Sequence, residues 1–263
     1  MIRLGIIGSG FGSYGLLPAF RSVKDCEVTA LCGSKRPQMM EYCESIGFTN
    51  LYEDWKDMLK SERLDALALA VTPEVQYEIA KVAIRKGLHV FAEKPLCAEL
   101  QQAQELVTLA QKHKIIHGVD FIFPEIAEWQ KVKEFLDDET YGRLLHMTAE
   151  WDFLSYDIKN KVSSWKTDVK KGRGALSYYY SHGLNYLEHF GGPIADMQSM
   201  FTYAKESANG GEVAADLLLK FRSGTTGTAH VCCNNRGLNR HQLTFQCERG
   251  VIVLENTKGV VNN

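Results

Sequence analysis

The N-terminal stretch IRLGIIGSGFGS, residues 2–13, decides the fold of this chain. Its first six residues include four large apolar side chains and predict a buried strand, and the glycine-rich segment that follows predicts a tight turn. Residues 14–23 then predict a helix. A strand, a glycine-rich turn and a helix in this order are the setting in which such a turn binds a dinucleotide.

The glycine turn supplies the first candidate cofactor residues. Gly8 fits the tight bend, and Gly10 lets the backbone approach a pyrophosphate, whose charge the amides at the helix N-terminus can meet. Ser13 stands where a third glycine is usual, and a residue this small still allows the helix to pack closely. A glycine-rich turn without a ligand is the alternative. The predicted cofactor contacts in this turn are Gly8, Gly10, Phe11, Gly12 and Ser13.

The end of the second predicted strand bears on which dinucleotide is bound. An acidic residue there would hold the ribose of NAD, whereas basic residues tolerate a 2′-phosphate. The chain has Ser34, Lys35 and Arg36 at this point and no carboxylate. A hydroxyl beside two cations favours NADP(H), with NAD(H) and an ordinary solvated basic loop as the alternatives.

The pattern of apolar runs changes near residue 120. Before it, short apolar runs alternate with amphipathic stretches, which predicts strand–helix–strand units with a parallel sheet: strands at 2–7, 27–32, 65–71, 88–92 and 115–121, and a helix at 96–113. Beyond residue 140, longer strands separated by glycine-containing turns predict a largely antiparallel sheet: strands at 144–153, 194–203, 213–221, 225–233, 242–247 and 251–254, and one helix at 174–190. We therefore predict an α/β Rossmann domain at 1–120 and an α+β domain at 121–263.

Composition excludes several classes of function. The 30 Lys and Arg residues nearly balance the 32 Asp and Glu residues, so no strong field attracts nucleic acid or an anionic membrane. The longest apolar runs, such as residues 66–71, are too short to span a bilayer. The seven cysteines are scattered without metal-ligand spacing. We expect reduced thiols, no metal site, no signal peptide and a cytoplasmic protein.

Three segments of the first half carry a resemblance to a known family: VTP at 71–73, QYEIA at 76–80 and GLHVFAEKPL at 87–96. Together with the glycine turn they closely resemble the glucose-fructose oxidoreductase, inositol dehydrogenase and MocA family. The resemblance implies hydride transfer between nicotinamide and a sugar-like secondary alcohol or ketone. It also implies an open C-terminal sheet that builds a homo-oligomer, a dimer or a tetramer.

Lys94 matches the catalytic lysine of that family. An ammonium group at this point can hydrogen-bond the reacting oxygen and stabilise charge as hydride arrives. Thr72 and Pro73 match the loop beside the nicotinamide, and Gln76 occupies a position that is often His in relatives. We expect cofactor contacts at these three residues, at Glu93 and at Lys94 itself.

In the second half, GALSYYYSHGLN at 174–185 resembles the family's G-x-L-x-D-x-G-x-H-x-x-D helix. His182 matches the histidine, and a group with a pKa near 6.5 suits proton transfer at neutral pH. Tyr178 and Asn185 replace the two aspartates, and on a regular helix all three side chains share one face. Tyr178 is a candidate proton donor in place of the missing Asp. Trp165 and Lys166, just ahead of this helix, are weaker candidates for substrate contacts, as is Asn185.

The missing Asp also supports a rival interpretation. A nucleotide-binding protein of this fold with little or no catalysis, a sensor or a partner subunit, would not need it, whereas the intact Glu93-Lys94-Pro95 argues for an enzyme. Family members commonly continue well beyond the last predicted strand, so the second half is short for the family. A naturally compact member and a chain that lacks a C-terminal piece are both open.

Overall fold

The computed structural model describes residues 1–162, 164–171, 174–204 and 210–256. The chain divides into two compact units, Met1–Asp120 and Phe121–Asn263, each of which is described by itself.

The first unit is built on a six-stranded sheet in the order β3-β2-β1-β4-β5-β6, and every strand pair in it is parallel. The order reverses between β1 and β4, which is the arrangement of a doubly wound Rossmann sheet. The strands are β1 Ile2–Ile7, β2 Cys26–Cys32, β3 Leu51–Tyr52, β4 Ala66–Leu69, β5 His89–Glu93 and β6 His117–Asp120. The helices are α1 Leu17–Arg21, α2 Pro37–Ser45, α3 Trp55–Ser61, α4 Pro73–Arg85 and α5 Leu100–His113.

Side-chain alternation along these strands produces two separate cores, one on each face of the sheet. In β4, Leu67 and Leu69 pack with α4 and α5, whereas Ala68 packs with residues of α1 and α2 on the other face. Strands that are apolar on both sides therefore lie between two layers of helices, as the continuous apolar runs predicted.

The second unit contains another six-stranded sheet, in the order β12-β11-β7-β10-β9-β8. All of its pairs are antiparallel except β7 with β10. Its strands are β7 Leu144–Asp152, β8 Ile194–Thr202, β9 Ala214–Phe221, β10 Thr226–Cys232, β11 Arg240–Cys247 and β12 Gly250–Glu255, and its helices are α6 Ala127–Asp137, α7 Tyr156–Lys159 and α8 Ser181–Gly191. One face packs against α6 and α8 to form the core of this unit, and the other face is open.

The predicted strands are confirmed to within two residues at each end, but the predictions for three helices need correction. The helix after the glycine turn begins earlier, at Gly12, with a π-helical turn before α1. Helix α5 begins at Leu100 and not at residue 96, and in the segment before it the carbonyl oxygens of Pro95 and Leu96 accept hydrogen bonds from Gln76 of α4. The single helix predicted at 174–190 is a π-helical turn, Ala175–Tyr179, followed by α8, with Tyr180 between them.

Within the described residues, no helix is both long and apolar enough to cross a bilayer.

Candidate active site

The glycine turn lies at the carboxyl end of β1. Gly8 has φ of +145°, and a Cβ atom there would lie 2.3 Å from the carbonyl oxygen of Ala70, so only glycine fits this position. At Gly10, by contrast, a Cβ atom would meet nothing within 4 Å. The turn therefore leaves open space on the side where a pyrophosphate would approach the backbone.

Ser13 and Phe11 flank that open space. The Ser13 side chain is buried, and its hydroxyl donates a hydrogen bond to the carbonyl oxygen of Gly10 at 2.8 Å. Phe11 is 40% exposed and packs edge-on against the ring of Tyr14. Gly12 begins the helix, and a Cβ atom there would lie 3.3 Å from the side chain of Ile6. A small residue at position 13 thus preserves the close packing that a third glycine would allow.

The segment after β2 lies beside the glycine turn. The Ser34 hydroxyl is 2.9 Å from the Ser9 hydroxyl, and this hydrogen bond joins the two loops. Ser34, Lys35 and Arg36 are all exposed, and the Lys35 ammonium lies 4.0 Å from the Glu53 carboxylate. One hydroxyl and two cations are thus available here to an anionic group, although Glu53 partly offsets the charge of Lys35.

Thr72 and Pro73 are at the start of α4, which follows the carboxyl end of β4. Thr72 is extended and precedes the helix, and Pro73 is its first residue, where a missing N–H costs nothing. One turn later, the Gln76 side chain is completely buried. Its amide nitrogen donates to the carbonyl oxygens of Glu93 at 2.6 Å, Leu96 at 3.1 Å and Pro95 at 3.2 Å. Gln76 thus holds the segment around Lys94, and its expected contact with the cofactor stays a prediction.

Lys94 directly follows β5, and the peptide bond between it and Pro95 is cis. Glu93, the last residue of β5, is in register with Asp120, the last residue of β6, and the two carboxyl groups are in hydrogen-bonding contact. Burial and the contact with Asp120 raise the pKa of Glu93, and the ammonium of Lys94 partly opposes that rise. Asp120 is a residue that sequence reasoning missed, since nothing in its local sequence shows which strand it pairs with.

The carboxyl edge of the first sheet therefore collects the candidate groups of the first unit. The glycine turn follows β1, the basic loop follows β2, Thr72 follows β4 and Lys94 follows β5. Ligands of doubly wound sheets bind at this edge, outside the point where the strand order reverses. The open backbone at Gly10 and the exposed cations after β2 fit the pyrophosphate and the adenosine end of a nicotinamide dinucleotide.

In the second unit, His182 lies in the first turn of α8 and is 8% exposed. Its ring packs edge-on against Phe123 at 5.1 Å and Phe121 at 5.8 Å between ring centroids. The sequence predicts that His182 and Tyr178 share one face of a regular helix. The two residues lie instead on different elements, because the chain changes from a π-helical turn to an α-helix at Tyr180. Asn185 is half-buried on α8, one turn beyond His182.

Tyr178 lies against Trp165 and Lys166, the two residues before this helix that the sequence predicts as substrate contacts. The Trp165 ring packs edge-on against the Tyr178 ring at 4.9 Å, and the Lys166 ammonium lies 5.1 Å from the centroid of the same ring. The three side chains form an aromatic and cationic cluster of the kind that binds hydroxylated rings.

Comparisons with known proteins agree with this division of the chain. A family model described as an oxidoreductase family with an NAD-binding Rossmann fold matches residues 2–121, and a model of the Gfo/Idh/MocA C-terminal domain matches residues 129–253. An uncharacterized oxidoreductase of Synechocystis is 28% identical over 77% of this chain and 55% of its own length. The D-apiose dehydrogenase of Paraburkholderia graminis is 26% identical over 84% of this chain and 58% of its own length.

The chain thus spans a little more than half the length of these two curated relatives. A solved structure of the WlbA dehydrogenase from Bordetella pertussis, in complex with NADH and UDP-GlcNAcA, has a TM-score of 0.87 at 21% identity, over 97% of this chain and 78% of that one. Similarity at this level of identity establishes the fold. Because the two family models together account for most of the residues, the chain belongs to the Gfo/Idh/MocA oxidoreductase family.

Proposed function

We propose that the protein is an NAD(P)-dependent oxidoreductase that acts on a sugar-like secondary alcohol or ketone. The observation that carries the proposal is the placement of Lys94 on the same sheet edge as the open glycine turn at Gly10. A dinucleotide held on that turn extends along this edge, where a cation can meet the reacting oxygen. The names of the relatives support a sugar-like substrate, since one is a D-apiose dehydrogenase and another was solved with a nucleotide sugar.

When bound, the nicotinamide would supply or accept the hydride, and residues of the chain would stabilise the reacting oxygen and transfer the proton. The Lys94 ammonium donates a hydrogen bond to the substrate oxygen and stabilises the negative charge that develops there. His182 accepts the hydroxyl proton in oxidation or donates it in reduction. Tyr178 is the alternative proton donor, and the Lys166 ammonium lies 5.1 Å from the centroid of its ring. Trp165, Lys166 and Asn185 are proposed to contact the substrate.

We further propose a preference for NADP(H). Ser34, Lys35 and Arg36 are exposed at the carboxyl end of β2 and can donate hydrogen bonds to a 2′-phosphate. A ribose diol, in contrast, is usually held by a carboxylate at this point, and the segment from Cys32 to Arg36 has no carboxylate.

We also propose that the protein is a homo-oligomer. The open face of the second sheet exposes large apolar side chains, among them Met200 at 76% and Leu218 at 59%. A second copy would remove such side chains from water. Light scattering over a range of protein concentrations measures the oligomeric state, and a monomer at every concentration would contradict the proposal.

The decisive experiment is a panel of polyols, ketosugars and nucleotide sugars, followed by nicotinamide absorbance with each cofactor. Turnover of at least one sugar-like compound is the expected result. Fluorescence titration with NADPH and NADH is run in parallel. Cofactor binding without turnover of any compound would favour the rival function, a nucleotide-binding sensor or partner subunit.

A further inference from the structure

A cluster of polar side chains lies on the open face of the second sheet, where β7 and β10 end. These two strands form the parallel pair of that sheet, with Asp152 in register with Cys232 and Glu150 in register with His230. Because side chains alternate between the faces of a strand, these four residues lie on the same face. None of them belongs to the residues assigned to the oxidoreductase site.

Three of these side chains converge on one point. A carboxylate oxygen of Asp152, a ring nitrogen of His230 and the Sγ atom of Cys232 all lie within 4.8 Å of one another. The Nε2 atom of His230 is 3.4 Å from the Oδ1 atom of Asp152. Two ligands of a tetrahedral ion, each about 2.1 Å from it, are about 3.4 Å apart, so this spacing suits a shared metal ion.

The groups around the cluster hold these side chains in the orientation that a metal needs. The Asp216 carboxylate is 2.7 Å from the His230 Nδ1 atom, and this contact fixes the ring with Nε2 towards Asp152. The Arg240 guanidinium donates to Oδ2 of Asp152 at 3.0 Å, and the Asn235 amide donates to Oδ1 at 3.1 Å. A carboxylate on the far nitrogen of a ligand histidine and hydrogen bonds to a ligand carboxylate are the usual supports of a metal site.

The formal charge of the cluster also favours a bound cation. Glu150, Asp152 and Asp216 carry three formal negative charges, and Arg240, paired with Glu150 at 2.8 Å, carries one positive charge. These four side chains together leave two formal negative charges, which a divalent cation would neutralise. Asp152 is only 3% exposed, so a counter-ion there would act with little screening by water.

We propose that Asp152, His230 and Cys232 bind a zinc ion. A thiolate and an imidazole are ligands of zinc and not of magnesium or calcium, which prefer oxygen. Three protein ligands leave a fourth position for water. The ion would tie the end of β7 to the end of β10, and this role is independent of the proposed oxidoreductase activity.

Metal binding to the chelator-treated protein tests the proposal. Titration with Co²⁺, as a spectroscopic substitute for zinc, is expected to produce thiolate-to-cobalt charge-transfer absorption at one ion per chain. Competition with a chromophoric chelator gives the Zn²⁺ affinity. We expect Cys232→Ser to abolish the absorption and to weaken Zn²⁺ binding more than tenfold, and Asp216→Asn to weaken it by about 10- to 100-fold.

Cys247→Ser is the matched control, because Cys247 is a half-buried cysteine in β11 of the same sheet, outside the cluster. This variant is expected to bind zinc as the parent protein does. If the variants fold poorly, the cysteines of the parent protein are alkylated with and without Zn²⁺ instead, and the labelling of each cysteine is measured by peptide mass. Protection of Cys232 by zinc supports the site. Equal labelling of Cys232 in both samples, or equal zinc affinity in Cys232→Ser and the control, would overturn it and leave a salt-bridged cluster of Asp152, His230 and Asp216.

Discussion

The carboxyl groups of Glu93 and Asp120 meet at the carboxyl ends of two adjacent parallel strands, directly beside Lys94. Burial and the neighbouring Asp120 raise the pKa of Glu93 to about 8. Glu93 therefore retains its proton near neutral pH, because burial and the neighbouring carboxyl group disfavour its ionised form.

This pair makes the stability of the protein depend on pH. The pKa of Glu93 is higher in the folded state than its ordinary value of 4.5, so the folded state binds the proton more tightly. The resulting contribution to stability is fully present below about pH 4.5 and is lost as the pH rises through about 8. Glu93→Gln removes this dependence, which melting temperatures between pH 5 and 9 detect. The free energy of unfolding changes by at most about 1.4 kcal/mol per pH unit.

Glu44→Gln, at an exposed position of α2, is the control and should leave the pH dependence of the parent protein unchanged. If Glu93→Gln and the parent protein lost stability in parallel as the pH rises, the raised pKa of Glu93 would be ruled out as the cause.

Gln76 is expected to be a positioning residue for the segment that carries Lys94. Gln76→Leu leaves the carbonyl oxygens of Glu93, Pro95 and Leu96 without their donor, which should destabilise the protein by about 1–3 kcal/mol. Turnover should fall further than cofactor affinity, because the displaced group is Lys94. Gln76→His retains an N–H donor and should restore part of the loss.

Urea unfolding, kcat and the Kd for cofactor are measured for both Gln76 variants. Gln101→Leu serves as the control, since Gln101 is exposed on α5. An unchanged unfolding midpoint in Gln76→Leu would show that the three hydrogen bonds do not hold this segment.

The basic loop after β2 should decide between the two nicotinamide cofactors. Removing both cations by Lys35→Ala with Arg36→Ala is expected to weaken NADPH binding about tenfold or more, with little effect on NADH, because only NADPH has the 2′-phosphate. Fluorescence titration provides both dissociation constants. Lys24→Ala, an exposed change just before the amino end of β2, should affect neither. Binding of NADH tenfold more tightly than NADPH by the parent protein would refute the preference.

Lys94→Met should abolish NAD(P)H-linked turnover and preserve cofactor binding, because it removes the charge that meets the reacting oxygen but leaves the glycine turn intact. Lys86→Met, at the end of α4, is the control. A variant that retained more than about one hundredth of the parent kcat would contradict the proposed role.

The proton donor is identified by a second pair of variants. His182→Asn and Tyr178→Phe each remove one candidate, and the residue that transfers the proton should show a loss of about 10²- to 10⁴-fold in kcat with a changed pH profile. Similar small losses from both variants would exclude both residues from proton transfer.

His241, in the second unit, makes stability depend on pH in the direction opposite to that of Glu93. Its ring stacks on Trp151 at 4.4 Å, lies 3.2 Å from the Tyr186 hydroxyl, and is 3.2 Å from the Asn256 amide. Burial lowers the pKa of His241 from 6.5 to about 4. The stability that results is present above about pH 6.5 and is lost as the pH falls through about 4.

His241→Gln keeps a hydrogen-bond donor and an acceptor but does not titrate. Its melting temperature should therefore fall less than that of the parent protein between pH 7 and 4. His113→Gln, at the exposed end of α5, is the comparison and should follow the parent. An acid-induced loss in His241→Gln equal to that of the parent would assign the effect to other groups.

The sequence by itself determined the class of fold, the order of the strands along the chain and the family, because these depend on local patterns. Alternating or continuous apolar runs determine which segments are buried as strands, and a glycine with φ of +145° after β1 follows from a local turn. The helix starts do not follow from local sequence patterns alone. Helix α5 begins only after the segment that Gln76 of α4 binds, and the break at Tyr180 interrupts a stretch whose sequence predicts one continuous helix.

Only the tertiary structure decided which side chains meet. Glu93 contacts Asp120 because β5 pairs with β6, and Asp152 lies beside His230 and Cys232 because β7 pairs with β10. Strand pairing of this kind is governed by the packing of whole layers, and the residues that it joins can be far apart in the chain. Sequence spacing therefore identified Lys94 and the glycine turn, which are local motifs, but showed neither the contact of Glu93 with Asp120 nor the convergence of Asp152, His230 and Cys232.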